Sequence, residues 1–151
     1  MARILISPSS TVMALTALKN LVLGGHKVFV TDNVAEMPGN SLADSFKLVP
    51  PFHHPEYMQS VRDYCLEKEI DLVFPAHEDV LIPFSQEKEK FLEFGVRVVI
   101  SDKDVLEITQ DKWKTYLTLK KSVPMVMSTI YRNRLMEYPI FAKPRFGSGS
   151  K

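Results

Sequence analysis

A three-layer α/β fold, a parallel sheet with helices on both faces, is what this sequence predicts. Three observations carry the prediction. Five apolar runs rich in β-branched residues recur within the first 101 positions, and helical patterns fall between them. Parallel neighbours need crossover connections of that kind, because a tight hairpin cannot join them. The composition, 45% hydrophobic and 25% charged over 151 residues, suits an ordinary buried core.

RILIS, residues 3–7, is the first strand. A helix over 11–23 places Val12, Leu15, Leu18 and Val22 on one face, and Gly24-Gly25 offers a left-handed stop after its last turn. KVFVTD (27–32) and FKLV (46–49) are the next strands. Proline at the permissive first turn opens a helix over 55–69, where Met58, Val61 and Cys65 share a face. DLVFP (71–75) precedes a third helix over about 79–94, apolar at Leu81, Phe84, Phe91 and Leu92 and ended by Gly95. VRVVIS (96–101) completes the set.

Composition changes near Ser101, so the expected organisation is one α/β domain over 1–101 and a second, incomplete region over 102–151. SDKDVLEITQDKWKTYLTLKKSVP predicts two short helices begun by Asp or Ser caps, with Trp113, Tyr116, Leu117 and Lys120 on one face of the second. Val123-Pro124 stops it. MVMSTIY and YPIFAKP predict two further strands around RNRLME. Residues 1–101 hold 9 Lys/Arg against 13 Asp/Glu, net −4, whereas residues 102–151 hold 10 against 5, net +5. A basic final third suits an anionic ligand such as a nucleotide, although an unevenly charged solvated surface explains it equally.

Several classes are disfavoured. The apolar runs are short and cut by Lys, Gly or Pro, so no membrane span is expected. No cleavable leader precedes the first strand, which points to the cytoplasm. The single Cys65 excludes an internal disulfide and, lying on an apolar helix face, reads as core rather than nucleophile. Basic residues form no run interleaved with aromatics, which disfavours nucleic acid. His26, His53, His54 and His77 lack metal-ligand spacing, so structural zinc is not expected.

The first strand-to-helix turn, SPSSTV, is where a dinucleotide fold carries G-x-G-x-x-G, and it has no glycine. NAD is therefore disfavoured, although Ser10 or Thr11 can cap the helix and help hold an anion. Asp32, ending the second strand, is either a turn residue or a contact to a non-nucleotide ligand. FPAHEDVLIP follows the fourth strand, where open α/β sheets bind ligands. His77 and Glu78 stand at that edge as candidate substrate contacts, Glu78 for an amine and His77 for a carboxylate or a proton, or all of 77–79 simply begin the helix. PIFAKPRFGSGSK is the most informative stretch. It lacks Walker A spacing; it offers Lys143 on a strand and then a Gly-Ser segment whose N–H groups can fold over phosphates. An ammonium on a rigid strand acts most strongly where water is excluded.

With RILIS, GGHKVFVTD, EIDLVFPAHED and GVRVVISD in order, and above all QDKWKTYLTLKKSVP and PIFAKPRFGSGSK, the chain resembles the ATP-grasp superfamily. The likeness is to carbamoyl-phosphate-synthase-like and other carboxylate–amine ligases, whose N-terminal part is a Rossmann-like preATP-grasp domain. The resemblance implies ATP and Mg2+ as cofactors. It implies that Lys112 and Lys143 meet nucleotide phosphates, and that Ser148, Gly149, Ser150 and Lys151 belong to the loop that closes over them. It places His77 and Glu78 where relatives meet the acceptor substrate, more loosely; Ser10 and Asp32, read from their own turns, join them as candidate substrate contacts. Magnesium ligands and most of an adenine pocket lie further along in this superfamily. The expectation is accordingly an N-terminal fragment of an ATP-dependent ligase that works through an acyl phosphate on small carboxylate and amine substrates. Such a fragment is expected to be inactive alone, with a homodimer possible through unpaired strand edges. The alternative is a stand-alone Rossmann-like module that holds a small ligand or partner at residues 77–79.

Overall fold

The computed structural model describes residues 1–125, 128 and 141–147, and the chain divides into two compact units, residues 1–101 and 102–151. In the first unit the elements run β1 (Arg3–Ser7), α1 (Val12–Leu23), β2 (Lys27–Asp32), a 3₁₀ turn (Pro38–Ser41), β3 (Ser45–Leu48), α2 (Tyr57–Glu67), β4 (Leu72–Pro75), α3 (Glu78–Glu93) and β5 (Arg97–Val98). All five strands are parallel, in the order β3-β2-β1-β4-β5. The order reverses between β1 and β4, which leaves a crevice at their carboxyl ends.

Strand alternation builds two cores. Leu5, Phe29, Val73 and Val98 face α2 and α3, where Val61, Tyr64, Cys65, Val80, Phe84 and Phe91 meet them. Ile6, Val28 and Val30 face the other way, against Ala14 and Leu18 of α1. Both faces are apolar because both are covered, so these strands carry nearly continuous hydrophobic runs. Gly25 and Gly95, at φ 77 and 79, take the left-handed conformation just past α1 and α3. After α2 the same bend falls on Glu69, at φ 47.

Two helices bury a face that only partly matches the one their spacing predicts: Leu18 on α1 and Phe84 and Phe91 on α3 are inward as expected. On α1 it is Ala14, Ala17, Leu18 and Leu21 that pack inward, while Val12 is 83% exposed and Leu15 and Val22 also reach solvent. The segment VMALTALKNLVL is apolar nearly all round, so periodicity alone cannot select a face. On α3, Val80, Phe84 and Phe91 point inward and Leu92 is 52% exposed. Phe91 and Leu92 are adjacent and diverge by about 100° around the helix, so only one shares the face of Phe84 seven residues earlier. The expected fifth strand over 96–101 pairs only at Arg97–Val98.

The second unit contains α4 (Lys103–Thr109) and α5 (Lys112–Leu119). Asp111 caps α5 by accepting from Trp113 N and Lys114 N. The strand expected across Lys143 is absent over residues 141–144, which carry neither strand nor helix. The rest of that strand, nearly all of MVMSTIY and the segment between them lie outside the described residues. Among the described residues no helix is long and apolar enough to cross a membrane.

The inward and outward positions of α3 differ sharply in consequence. Phe84→Ala empties a site packed against Tyr57 and Phe91 and should cost about 3–5 kcal/mol. Leu92→Ala, on the same helix, should stay within about 0.5 kcal/mol. Urea unfolding of both variants checks this, and equal losses would contradict the assigned core.

Candidate functional site

Every strand of the first unit points its carboxyl end at the same edge, and a cavity of about 90 Å³ opens there. Pro8 and Ser10 from the turn after β1 line it, with Asp32 and Asn33 from the end of β2. Val49, Pro50 and Phe52 follow β3, and Tyr57 opens α2; His77 comes from the turn after β4.

Asp32 organises this edge. Its side chain has no exposed surface, and its Oδ2 accepts from Ser10 N at 2.7 Å and Ser9 Oγ at 3.4 Å while Oδ1 accepts from Val34 N at 3.2 Å. The expectation left two roles open for this residue, and the turn-holding one is visible in these bonds while the cavity also borders it. Ser10 N is thereby already engaged by a carboxylate, and the helix cap is Thr11, whose Oγ1 accepts from Ala14 N and donates to Ala76 O. The positive end of α1 is thus partly answered by the protein's own acid.

Beneath the cavity runs a chain of buried hydroxyls that sequence reasoning missed. Thr31 Oγ1 donates to Ser7 Oγ at 2.7 Å, and Ser7 Oγ lies 2.8 Å from the Tyr57 hydroxyl. Burial pushes the Tyr57 phenol up to about 12, opposed by the bond to Ser7 and aided by the nearby Asp32 charge. A neutral phenol therefore faces the cavity at physiological pH. The available signal was a polar residue at or beside the end of two apolar strands, Ser7 and Thr31.

His77 caps α3 by accepting from Asp79 N at its Nδ1. An acceptor nitrogen carries no proton, so the other ring nitrogen is the one left to carry it. The imidazole stacks on Phe52 with ring centroids 5.8 Å apart. Glu78 occupies the first position of α3, half-buried, and does not line the cavity. Cys65 lies away from this edge, and burial pushes its thiol up to about 12, so it is held protonated in the core.

In the second unit a different cluster forms. Arg145 donates to both oxygens of Asp111, from Nε at 2.8 Å and Nη2 at 2.5 Å. Lys112 N donates to Arg145 O, and Lys112 Nζ donates to Gly147 O at 2.6 Å. The beginning of α5 and the beginning of the glycine segment are thus joined by an ion pair and two bonds to backbone. The Arg145 guanidinium, helped by the two N-cap amides and opposed by burial, holds the Asp111 carboxyl well below the usual carboxylate range. Lys143 is exposed, and Ser148, Gly149, Ser150 and Lys151 lie outside the described residues. Among the described residues no group of three or more His, Cys, Asp or Glu is placed to hold a metal ion.

A parallel α/β unit with its cavity at the strand reversal, and no glycine fingerprint in its first turn, defines a Rossmann-like domain. A family model described as PylC-like, N-terminal domain matches residues 4–99, and the chain belongs to that family. No curated protein matches it in sequence. Among solved structures, it is similar to the N5-carboxyaminoimidazole ribonucleotide synthetase of Thermotoga maritima, at 22% identity over 80% of this chain and 31% of that one, TM-score 0.57. The biotin carboxylase domain of Hydrogenobacter thermophilus 2-oxoglutarate carboxylase, in complex with MgADP, ADP and bicarbonate, matches at 14% identity over 80% and 27%, TM-score 0.60. The biotin carboxylase subunit of a pyruvate carboxylase matches at 19% over 86% and 30%, TM-score 0.64. At these identities the likeness establishes the fold, that of the N-terminal part of ATP-grasp enzymes. The chain spans about three tenths of the length of these structures.

The Asp111 clamp has a pH signature. Because its folded value lies below the unfolded one, the stabilisation is fully present above the unfolded value and is lost as pH falls toward the folded value. Fluorescence of Trp113, the single tryptophan, should report a stability of the second unit that declines below about pH 5. Asp111→Asn should weaken that unit at neutral pH and flatten the decline. An unaltered acid profile in the variant would remove the clamp from the account.

Proposed function

We propose that this chain is the N-terminal portion of an ATP-dependent carboxylate–amine ligase of the ATP-grasp kind, working in the cytoplasm with ATP and Mg2+ on small substrates. The observation that carries the reading is the joint between α5 and the glycine segment, where Lys112 Nζ meets Gly147 O and Arg145 grips Asp111. An ammonium has three N–H donors, so Lys112 can hold a loop carbonyl and still offer hydrogen bonds to phosphate oxygens. Lys143, exposed two residues before Arg145, adds a second cation, while Arg145 is kept on Asp111. These groups fit a polyphosphate. ATP supplies the phosphoryl group that converts a carboxylate into an acyl phosphate, which an amine then attacks with release of phosphate.

The residues of this chain would bind and orient: Lys112 and Lys143 at phosphate, Ser148, Gly149, Ser150 and Lys151 as a cover, and the edge formed by Ser10, Asp32, His77 and Glu78 for the acceptor. Magnesium finds no ligand group among the described residues, so its ligands are assigned to a longer chain and no step is drawn through it. The same reasoning makes the 151-residue chain inactive by itself, whether monomeric or paired with a second copy. A binding module without catalysis is the second reading, favoured by a cavity built wholly from residues 8–77.

Calorimetry with MgATP should give weak or undetectable binding to the 151-residue chain, and tight binding with turnover would show that the pocket needs less than supposed. In a longer chain carrying these residues, Lys143→Ala should reduce ATP use far more than Lys19→Ala, a change at an exposed position of α1. Equal activities would strip Lys143 of its role.

A further inference from the structure

Asp111 answers two parts of the chain with one carboxylate. Its Oδ1 accepts from the backbone N–H groups of Trp113 and Lys114 at the start of α5 and from Arg145 Nε, while its Oδ2 accepts from Arg145 Nη2. The acid is buried, and the guanidinium that grips it closes over it from the solvent side. A two-pronged pair of this kind fixes direction as well as distance, because the planar guanidinium meets both carboxylate oxygens only edge to edge. A second tie lies next door, from Lys112 N to Arg145 O at 3.2 Å. Side chain and main chain of Arg145 are thus both held.

What hangs from the pair gives it a purpose. Lys112 directly follows Asp111, and Lys143 precedes Arg145 by two residues, a span of at most about 7 Å of extended chain. The two lysines assigned to phosphate therefore stand on opposite sides of a single ion pair. Lys112 makes one further link, its Nζ donating to the carbonyl of Gly147, where the backbone turns through φ 86. Arg145 itself has one edge of its guanidinium, Nε and Nη2, turned onto the acid.

We infer that Asp111 and Arg145 are positioning residues, whose pairing sets Lys112 and Lys143 at the spacing a polyphosphate needs without either of the two touching it. The inference deepens the ligase reading, on which the role of the two lysines rests. It carries a definite sign. Removing an anion beside a phosphate site ordinarily strengthens phosphate binding, whereas removing this one weakens it. Were Asp111 only restraining an Arg145 that binds phosphate itself, the ordinary sign would hold.

Inorganic tripolyphosphate, titrated into the 151-residue chain at concentrations where weak binding still registers, tests this through the isotope-labelled side chains of Lys112 and Lys143. In the unmodified chain the two lysine signals should move together along one binding curve. Asp111→Asn keeps an oxygen acceptor for the two N-cap amides and removes the charge that holds Arg145. Arg145→Gln removes the guanidinium and leaves the cap untouched. Each should weaken tripolyphosphate about threefold or more and split the two lysine curves, and the double variant should bind no worse than the weaker single one. Without ligand, hydrogen exchange at the Lys112 amide, which donates to Arg145 O, should quicken in both variants, while the Thr115 amide, bonded to Asp111 O within α5, keeps its rate. Tighter binding by Asp111→Asn, additive losses in the double variant, or an unchanged Lys112 exchange rate overturns the inference and leaves the ligase reading standing. Lysine signals that never move in the unmodified chain sink both.

Discussion

Asp32 has no exposed surface at the end of the second strand, and its two oxygens gather the backbone N–H of Ser10 from the turn before α1 and that of Val34 from the turn after β2. A buried carboxylate is tolerated only when its oxygens find donors, and here the donors belong to the two turns that shape the ligand edge. The arrangement takes the place of a glycine fingerprint. Where glycines would bring backbone close to a pyrophosphate, the SPSS turn instead folds back on an acid of its own. The backbone of that turn is thereby committed to the protein's own carboxylate.

Charge separates the two units. The first unit is acidic, and its cavity is lined by the Tyr57 phenol and by Phe52 and His77, whose rings stack. The second is basic, and its cations stand near a glycine segment, with Arg145 paired to Asp111 and Lys112 Nζ donating to the Gly147 carbonyl.

Much of the fold was legible because its causes are local. β-branched runs marked the five strands, and Gly25 and Gly95 marked two helix ends through their left-handed backbone. The buried face of α1 was not legible, because a helix apolar on nearly every side gives periodicity nothing to choose between. At the ligand edge, Asp32 and His77 could be found as the residues that end or follow strands. Phe52, Tyr57 and Asn33 could not, since they meet only when strand order brings the turns after β2, β3 and β4 together. The Asp111–Arg145 pair spans 34 residues, with no spacing rule to announce it; only the family resemblance suggested that those two stretches work together. The apolar run YPIFAKP placed Lys143 on a strand, and residues 141–144 do not form one.

The sheet ends bluntly on both sides. β5 pairs through only two residues, and β3 through four with a lysine, Lys47, among them. Strand edges this short give an incoming chain few ladder bonds to form, and a charge on each, Lys47 and Arg97, discourages it further. A sheet that stops itself in this way offers little purchase for growth by strand addition.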